Sequence, residues 1–314
     1  MSTIATPVVG RELYRGNVNT WECDEMGHMN VRFYVSKAQE ALAILGHHLG
    51  LGPTHQRETG TALTVSDHHI RFLREMHAGT GLYVCGGVVE HGQDWLQVYL
   101  EIRNAHTHEA TATFTTLVHH TDPDMGARIP LPYSVSPALK ADRVAIPDHA
   151  RPRGMALDAP SGTASLARAE ELGMPVISHG VVQRSQCNEN GLMHTQHFIG
   201  RVSDGIVNFM PTLLTDGSNA RTPGKVGGAA VEYRMCYARR PRAGDIVIVR
   251  SGLKSLGERT FHLVHWILDG VTGEAFATSE AVALSLDLEA RKSLPIDPER
   301  RSFMETKIVP GLMI

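Results

Sequence analysis

The chain repeats itself, and that repetition constrains the fold more than any single motif. Cys23-Asp24-Glu25-Met26-Gly27-His28-Met29-Asn30 recurs 164 positions later as Cys187-Asn188-Glu189-Asn190-Gly191-Leu192-Met193-His194. Ala78-Gly79-Thr80 recurs as Ala243-Gly244-Asp245, and Glu109-Ala110-Thr111-Ala112-Thr113 as Glu274-Ala275-Phe276-Ala277-Thr278, both shifted by 165. A nearly constant offset over most of each half marks a duplicated unit. The length, 314 residues, fits two domains of ordinary size.

Each half reads as a strand, a loop, one long helix and about four antiparallel strands. After Asn30, the residues Ala38, Ala41, Leu42, Leu45 and Leu49 carry helical spacing, and Gly50 is placed to end the helix. Phe198, Ile199, Val202, Ile206, Phe209 and Met210 give the same stripe in the second half. Leu96, Val98, Leu100 and Ile102 alternate with Gln97, Tyr99, Glu101 and Arg103, which predicts a strand with one covered face. Runs 62–73, 81–90 and 109–120 are further strands rich in Thr and Val, with counterparts at 228–237, 246–254 and 275–287. A sheet wrapped round one apolar helix buries both hydrophobic surfaces, an α+β solution. The expected organisation is therefore a first domain over 1–122, a Pro-rich linker over 123–175 and a second domain over 176–314. Pro123, Pro130, Pro132, Pro137, Pro147, Pro152 and Pro160 mark the linker as extended, closed by a short helix near Ala164–Leu172 that ends at Gly173.

Composition excludes several function classes. A net charge of -3 gives no global field for nucleic acid or an anionic membrane. No apolar run approaches the roughly 20 residues that span a bilayer. Met1–Pro7 has neither the basic nor the apolar region of a secretory signal, so a cytoplasmic protein is expected. The four cysteines form no CxxC. Eighteen histidines include no HExxH, and the doublets His47-His48, His68-His69 and His119-His120 point successive side chains apart. No metal site is expected from these spacings.

The stretch Trp21-Glu22-Cys23-Asp24-Glu25-Met26-Gly27-His28-Met29-Asn30-Val31-Arg32-Phe33-Tyr34 resembles the signature of hotdog-fold thioesterases of the 4-hydroxybenzoyl-CoA thioesterase type. The match covers Asp24, Gly27, His28, Asn30 and Tyr34. The resemblance implies two tandem hotdog units, each an antiparallel sheet round one helix, fused as an intrachain pseudo-dimer. It also implies an acyl-CoA substrate, no cofactor apart from coenzyme A within that substrate, and a homo-oligomer of at least two double hotdogs. Plant acyl-carrier-protein thioesterases are similar in being tandem and carry Asp-x-Asn-x-His-x-Asn in this loop. The present chain keeps Asp24, His28 and Asn30 but has Met26 in place of that first Asn, a departure from their full arrangement.

Thioester hydrolysis needs an attacking oxygen and a place for negative charge on the carbonyl oxygen. A carboxylate can attack directly or draw a proton from water. Asp24 precedes the helix, whose first N–H groups lack intrahelical partners and carry partial positive charge. By the family pattern, the Val31 N–H is the oxyanion donor, Asn30 caps the turn, and His28 positions the carboxylate or polarises the thioester. Gly27 allows a sharp turn and close backbone approach. Gly27, Tyr34, Asn188 and His194 are the substrate-binding candidates.

The second copy differs: Asn188 replaces Asp24, Leu192 replaces His28 and His194 replaces Asn30. An amide is neither nucleophile nor base. The second unit is architectural, or lends pocket walls to the first site, or runs other chemistry with Glu189 and His194. Cys23 and Cys187 are expected to pack at strand ends, not to act as nucleophiles. Arg71, Arg74, Arg239, Arg240 and Arg242 are exposed strand-end charges that could meet coenzyme A phosphates. Two other functions remain open. One is a non-catalytic acyl-CoA-binding module. The other is a hotdog enoyl-CoA hydratase or dehydratase, although the Asn-Pro-x-His-type stretch of those enzymes is lacking.

Overall fold

The computed structural model describes residues 9–122, 126–213, 226–287, 289–290 and 292–314. The stretch Met1–Pro7 and Pro123, both used above, lie outside the described residues. The chain divides into two units, Met1–Arg151 and Pro152–Ile314.

In the first unit, β1 (Arg11–Asn17) leads through the Asp24 loop to α1 (Val31–His48) and the short α2 (Pro53–Thr59). Four strands follow, β2 (Ala62–Phe72), β3 (Gly81–His91), β4 (Trp95–Asn104) and β5 (Ala110–Thr121), then α3 (Ser136–Ala141). The spatial order is β1-β3-β4-β5-β2, antiparallel throughout. The predicted stripe does what its spacing implies: Ala38, Ala41, Leu42, Leu45 and Leu49 are buried, Val35 is buried with them, and α1 packs on β1, β3 and β4. Each such leucine contributes roughly 1.5–3 kcal/mol by leaving water.

The second unit starts with α4 (Leu166–Glu171), β6 (Val176–Val181) and α5 (Gln196–Gly205). It continues with β7 (Val226–Tyr237), β8 (Ile246–Leu256), β9 (Thr260–Asp269), β10 (Ala275–Asp287), the two-residue β11 (Lys292–Ser293) and α6 (Pro298–Glu305). Its order is β7-β10-β9-β8-β6, again antiparallel, with β11 on β10. Read from the other edge, this is the order of the first unit.

The register repeats as well as the order. The bulge between Val65 and Asp67 recurs between Ala230 and Glu232, and that between Val88 and Glu90 recurs between Leu253 and Ser255. The irregularity between Glu12 and Tyr14 recurs between Val176 and Ser178. Bulges bend and twist a strand at a fixed place, so shared bulges mean the two sheets curl alike. The duplication therefore extends to backbone irregularities that no amphipathic pattern encodes.

Three expectations change. The apolar stripe of the second half runs to Met210, but the α-helix stops at Gly205 and continues as 3-10 turns over Ile206–Asn208 and Met210–Leu213. Gly205 and the β-branched pair Ile206-Val207 are weak helix residues, and Pro211 disfavours helical backbone at Met210. Second, β4 is not covered on one face only. Tyr99, Glu101 and Arg103 are as buried as the apolar residues between them. Third, the reason lies in the segment expected as an extended linker, which is shared between the units and packs on them. Val135, Leu139 and Ala150 are buried in the first unit, where the Asp142 carbonyl and Val144 lie against Gly87 of β3. In the second unit Ala169 and Met174 join Trp266, Leu268, Leu312 and Ile314 in one apolar cluster. The helix that closes the segment is α4, with Gly173 just beyond it in the left-handed region.

One buried histidine gives the second unit an acid sensitivity. His265 is 1% exposed, stacks on Tyr233 at 6.3 Å and shares a 2.7 Å hydrogen bond with the Ser251 hydroxyl. Burial pushes its pKa down to about 3. In the unfolded chain the imidazole titrates near about 6.5. Below that pH the unfolded state takes up a proton that the folded state refuses, so stability falls as the pH falls from about 6.5 towards 3. The slope approaches about 1.4 kcal/mol per pH unit. His265→Leu, which places the residue found at Leu100 of the first unit, should remove this slope. Thermal melts of both proteins between pH 7 and pH 4 check it: parallel melting-temperature curves would contradict the assignment.

Among the described residues, no helix is long and apolar enough to cross a membrane.

Candidate active site

The loop between β1 and α1 is built by one aspartate. Asp24 Oδ1 accepts the backbone N–H groups of Met26 (2.9 Å) and His28 (3.2 Å). Asp24 N–H donates to the His28 carbonyl at 2.8 Å, and Gly27 N–H donates to the Asp24 carbonyl at 3.0 Å. Asp and Asn favour such turns because a short polar side chain mimics a backbone acceptor. Gly27 has φ +78°, in the left-handed region, and a β-carbon added there would meet nothing within 4 Å. Glycine is needed here for the turn. The expected close backbone approach is not what requires it.

The second unit builds the same loop with an amide. Asn188 Oδ1 accepts from Asn190 N–H at 3.1 Å and Leu192 N–H at 3.0 Å, and Gly191 has φ +73°. The carboxylate charge of Asp24 is therefore not what forms the loop. Asp24 places a charge where the architecture asks only for an oxygen acceptor.

Asn30 caps α1 as expected: its backbone is extended, and its side chain accepts from Arg32 N–H at 3.0 Å. Val31 is the first residue of α1, half-buried, with its N–H among those the helix itself cannot satisfy. His194, at the position of Asn30, leads into a helix whose N-cap is Thr195 and makes no side-chain cap bond. Burial, with the Arg240 charge nearby, lowers the His194 pKa and keeps the ring neutral at pH 7. Asn188 and His194 thus occupy the corresponding loop of the second unit, while Asp24, Gly27, His28, Asn30 and Val31 share one loop and helix start in the first.

Tyr34 is 4% exposed, meets Phe72 edge-on at 5.3 Å, and directs its hydroxyl to the Arg74 carbonyl at 3.4 Å. Burial raises the pKa of the phenol, so it stays protonated. Its structural position is that of a pin between α1 and the end of β2. A second pin was missed in the sequence. Lys37 of α1 reaches back to Glu22 at 2.6 Å, both side chains being nearly buried, and Glu22 also accepts from Asn19 N–H. Arg201 and Gln186 repeat the contact at 3.3 Å in the second unit. The repeat offset applied to Glu22 and Lys37 would have exposed this pair.

The cysteines at the strand ends are half-buried, with Cys23 and Cys187 thiols directed to the Asn19 and Gln183 carbonyls. Four of the five arginines considered for phosphate contacts have partners within their own units. Arg71 donates to the Arg151 carbonyl, Arg74 pairs with Glu109, Arg239 pairs with Asp269 and Glu274, and Arg242 donates to the Asn190 carbonyl. Arg240 is half-buried.

Pairing across the loop brings in residues that the sequence left scattered. His28 forms an antiparallel bridge with His77, and Met29 N–H donates to the Met76 carbonyl at 2.7 Å. His28 is 9% exposed, its Nε2 lies 3.4 Å from Glu75 Oε2, and its ring meets that of His77 edge-on at 4.9 Å. Spacing could not reveal this trio, since His28 lies far from Glu75 and His77 in the chain.

The family comparison agrees with the two-unit fold. The thioesterase-like superfamily matches residues 18–141 and 182–304, one match per unit. No curated protein sequence matches the chain. Among solved structures, similar ones include a candidate oleoyl thioesterase from Lactobacillus plantarum, 14% identical, TM-score 0.65, over 88% of this chain and 97% of that one. The 12:0-ACP thioesterase from Umbellularia californica is 12% identical with TM-score 0.64, over 87% of this chain and 93% of its own. An acyl-ACP thioesterase from Bacteroides thetaiotaomicron is 12% identical with TM-score 0.55, over 86% and 96%. At such identities the likeness establishes the fold. The chain belongs to the thioesterase-like superfamily as two tandem hotdog units, and hydrolysis of acyl thioesters is the activity that this membership supports.

Proposed function

We propose that the chain hydrolyses an acyl-CoA thioester at the Asp24 loop of the first unit. The observation that carries this reading is the Asp24/Asn188 difference: two loops share the same hydrogen bonds, and only one holds a carboxylate at the turn-forming position, beside the start of the long helix α1. With Oδ1 engaged by the loop, the chemistry is assigned to the second carboxylate oxygen. As general base it takes a proton from water while the water oxygen attacks the carbonyl carbon. As nucleophile it forms a mixed anhydride that water then cleaves. In both routes the C–S bond breaks, the thiolate takes up a proton, and the net change is thioester plus water to acid plus thiol. The Val31 N–H faces the developing oxyanion, a contribution of about 3 kcal/mol for such a donor. His28, joined to the loop through its own N–H, orients the carboxylate or polarises the thioester.

Two of the similar structures are named for acyl-carrier-protein thioesters, which makes that carrier the second substrate class to test. The Asn188 loop also favours a second reading. Because the Asx side chain has an architectural task in both units, a non-catalytic acyl-CoA-binding module would need Asp24 for the same reason. Free-thiol release from short, long and aromatic acyl-CoAs, with an acyl-carrier-protein arm, separates these readings. Cleavage of at least one acyl-CoA is the expected result. Binding of several without any thiol release would reject hydrolysis and leave the binding module.

A further inference from the structure

The geometry points to a divalent transition-metal site, of the zinc class, formed by His28, Glu75 and His77 at the edge of the Asp24 loop. One donor atom from each residue can be chosen so that all three lie within 4.8 Å of one another. Two donors on a tetrahedral zinc, each about 2.0–2.1 Å from the ion, stand about 3.3–3.4 Å apart. The His28 Nε2 to Glu75 Oε2 separation, 3.4 Å, already has that value. His77 and Glu75 are both exposed, so their side chains have room to adjust around an ion.

The backbone holds the trio together. Residues directly opposite in an antiparallel pair place their side chains on one face, and the bridge between His28 and His77 does this across the loop. His77 Nδ1 lies 3.1 Å from the Gly27 carbonyl. A proton on Nδ1 donates to that carbonyl and leaves Nε2 as the lone-pair nitrogen, the outer-shell arrangement typical of metal-binding histidines. Two imidazoles and a carboxylate suit zinc and its neighbours better than magnesium or calcium, which prefer all-oxygen shells. Three protein ligands leave a coordination position for water or a small anion.

The second unit shows that the fold does not need these residues. Leu192 pairs with Arg242 as His28 pairs with His77, and Met193 N–H meets the Pro241 carbonyl at 2.9 Å as Met29 N–H meets that of Met76. Arg240 stands at the position of Glu75. A leucine and two arginines support the same loop and cannot bind a cation, so the ligand set belongs to the unit that holds Asp24.

The test uses the full chain, treated with chelator and titrated with Zn²⁺ by calorimetry and with Co²⁺ by visible absorption. Wild type should bind one ion with micromolar or tighter affinity, show the absorption bands of a tetrahedral cobalt centre, and melt higher as zinc is added. His77→Ala should weaken zinc at least 100-fold and Glu75→Gln roughly 10- to 100-fold, with loss of the cobalt bands in both. Both side chains are exposed, and metal-free melting temperatures equal to wild type establish that the variants are folded. Two results would overturn the site: no zinc binding by wild type at micromolar concentration, or binding by both variants as tight as wild type, which would place the ion among the other histidines. Binding is read without any thioester, so a chain that holds zinc but cleaves nothing, or the reverse, tells this inference apart from the proposed hydrolysis.

Discussion

Asp24→Asn should remove thioester hydrolysis while leaving the protein folded and as stable as wild type. The loop needs an oxygen that accepts two N–H groups, and Asn188 supplies one in the second unit at 3.0 and 3.1 Å. An asparagine at position 24 can do the same, so the melting temperature should move by no more than a degree or two. The amide cannot attack a carbonyl or accept a proton from water. Loss of a positioned base lowers turnover by about 10²–10⁴-fold, or roughly 3–5 kcal/mol in the barrier. Steady-state thiol release on the best acyl-CoA gives the first number, and a thermal melt gives the second. Unimpaired turnover in a folded variant would remove Asp24 from the chemistry. The uncommon feature of this test is that the protein contains its own control, an amide at the equivalent position in the same local architecture.

The second large effect concerns stability. Glu101 and Arg103 are both 0% exposed on β4 and pair directly through Glu101 Oε1 and Arg103 Nε. The other carboxylate oxygen of Glu101 takes the Tyr99 hydroxyl at 2.5 Å and lies 2.6 Å from His149 Nε2. Glu101→Ala leaves the buried Arg103 guanidinium without its carboxylate, though still bonded to the His108 carbonyl, and removes the acceptor of the Tyr99 hydroxyl; breaking such a pair from one side costs about 3–5 kcal/mol. Urea unfolding should show that loss. Glu101→Met with Arg103→Leu removes both charges together and should recover much of it, since matched apolar replacements of buried ion pairs are often neutral. The second unit already carries Trp266 and Leu268 at these positions, both buried in its apolar cluster. If the single variant unfolds no more readily than wild type, the network is not the anchor of residues 126–151 that its geometry implies.

These two cases show what was legible and why. The helix after Asn30 and most of the strands were readable because amphipathic spacing is local: a 3.6-residue or 2-residue period reports burial without knowledge of the neighbour. The turn at Asp24 and Gly27 was readable because few residues favour left-handed backbone or mimic a carbonyl. Glu101 and Arg103 were misassigned to an open face for a physical reason. A charged residue in an alternating strand normally faces water, and only a distant covering segment with matching polar groups reverses that. The proline-rich stretch concealed its role similarly, since prolines keep regular structure short, as in α3 with Pro137 in its first turn, but do not forbid packing.

By itself the sequence determined the duplicated α+β plan, the loop at the start of α1 and the inequality of its two copies, because each is written in residue spacing or in a direct substitution. Tertiary structure decided the rest. It showed that Asp24 Oδ1 is bound by the loop, that Tyr34 and Lys37 pin the helix, that residues 126–174 cover the sheets, and that His28 meets Glu75 and His77. Apart from the Asp24 turn, whose partners Met26 and His28 are near neighbours, these depend on contacts between residues well separated in the chain. Such contacts are fixed by the register of β-pairing and by packing, which no local period encodes.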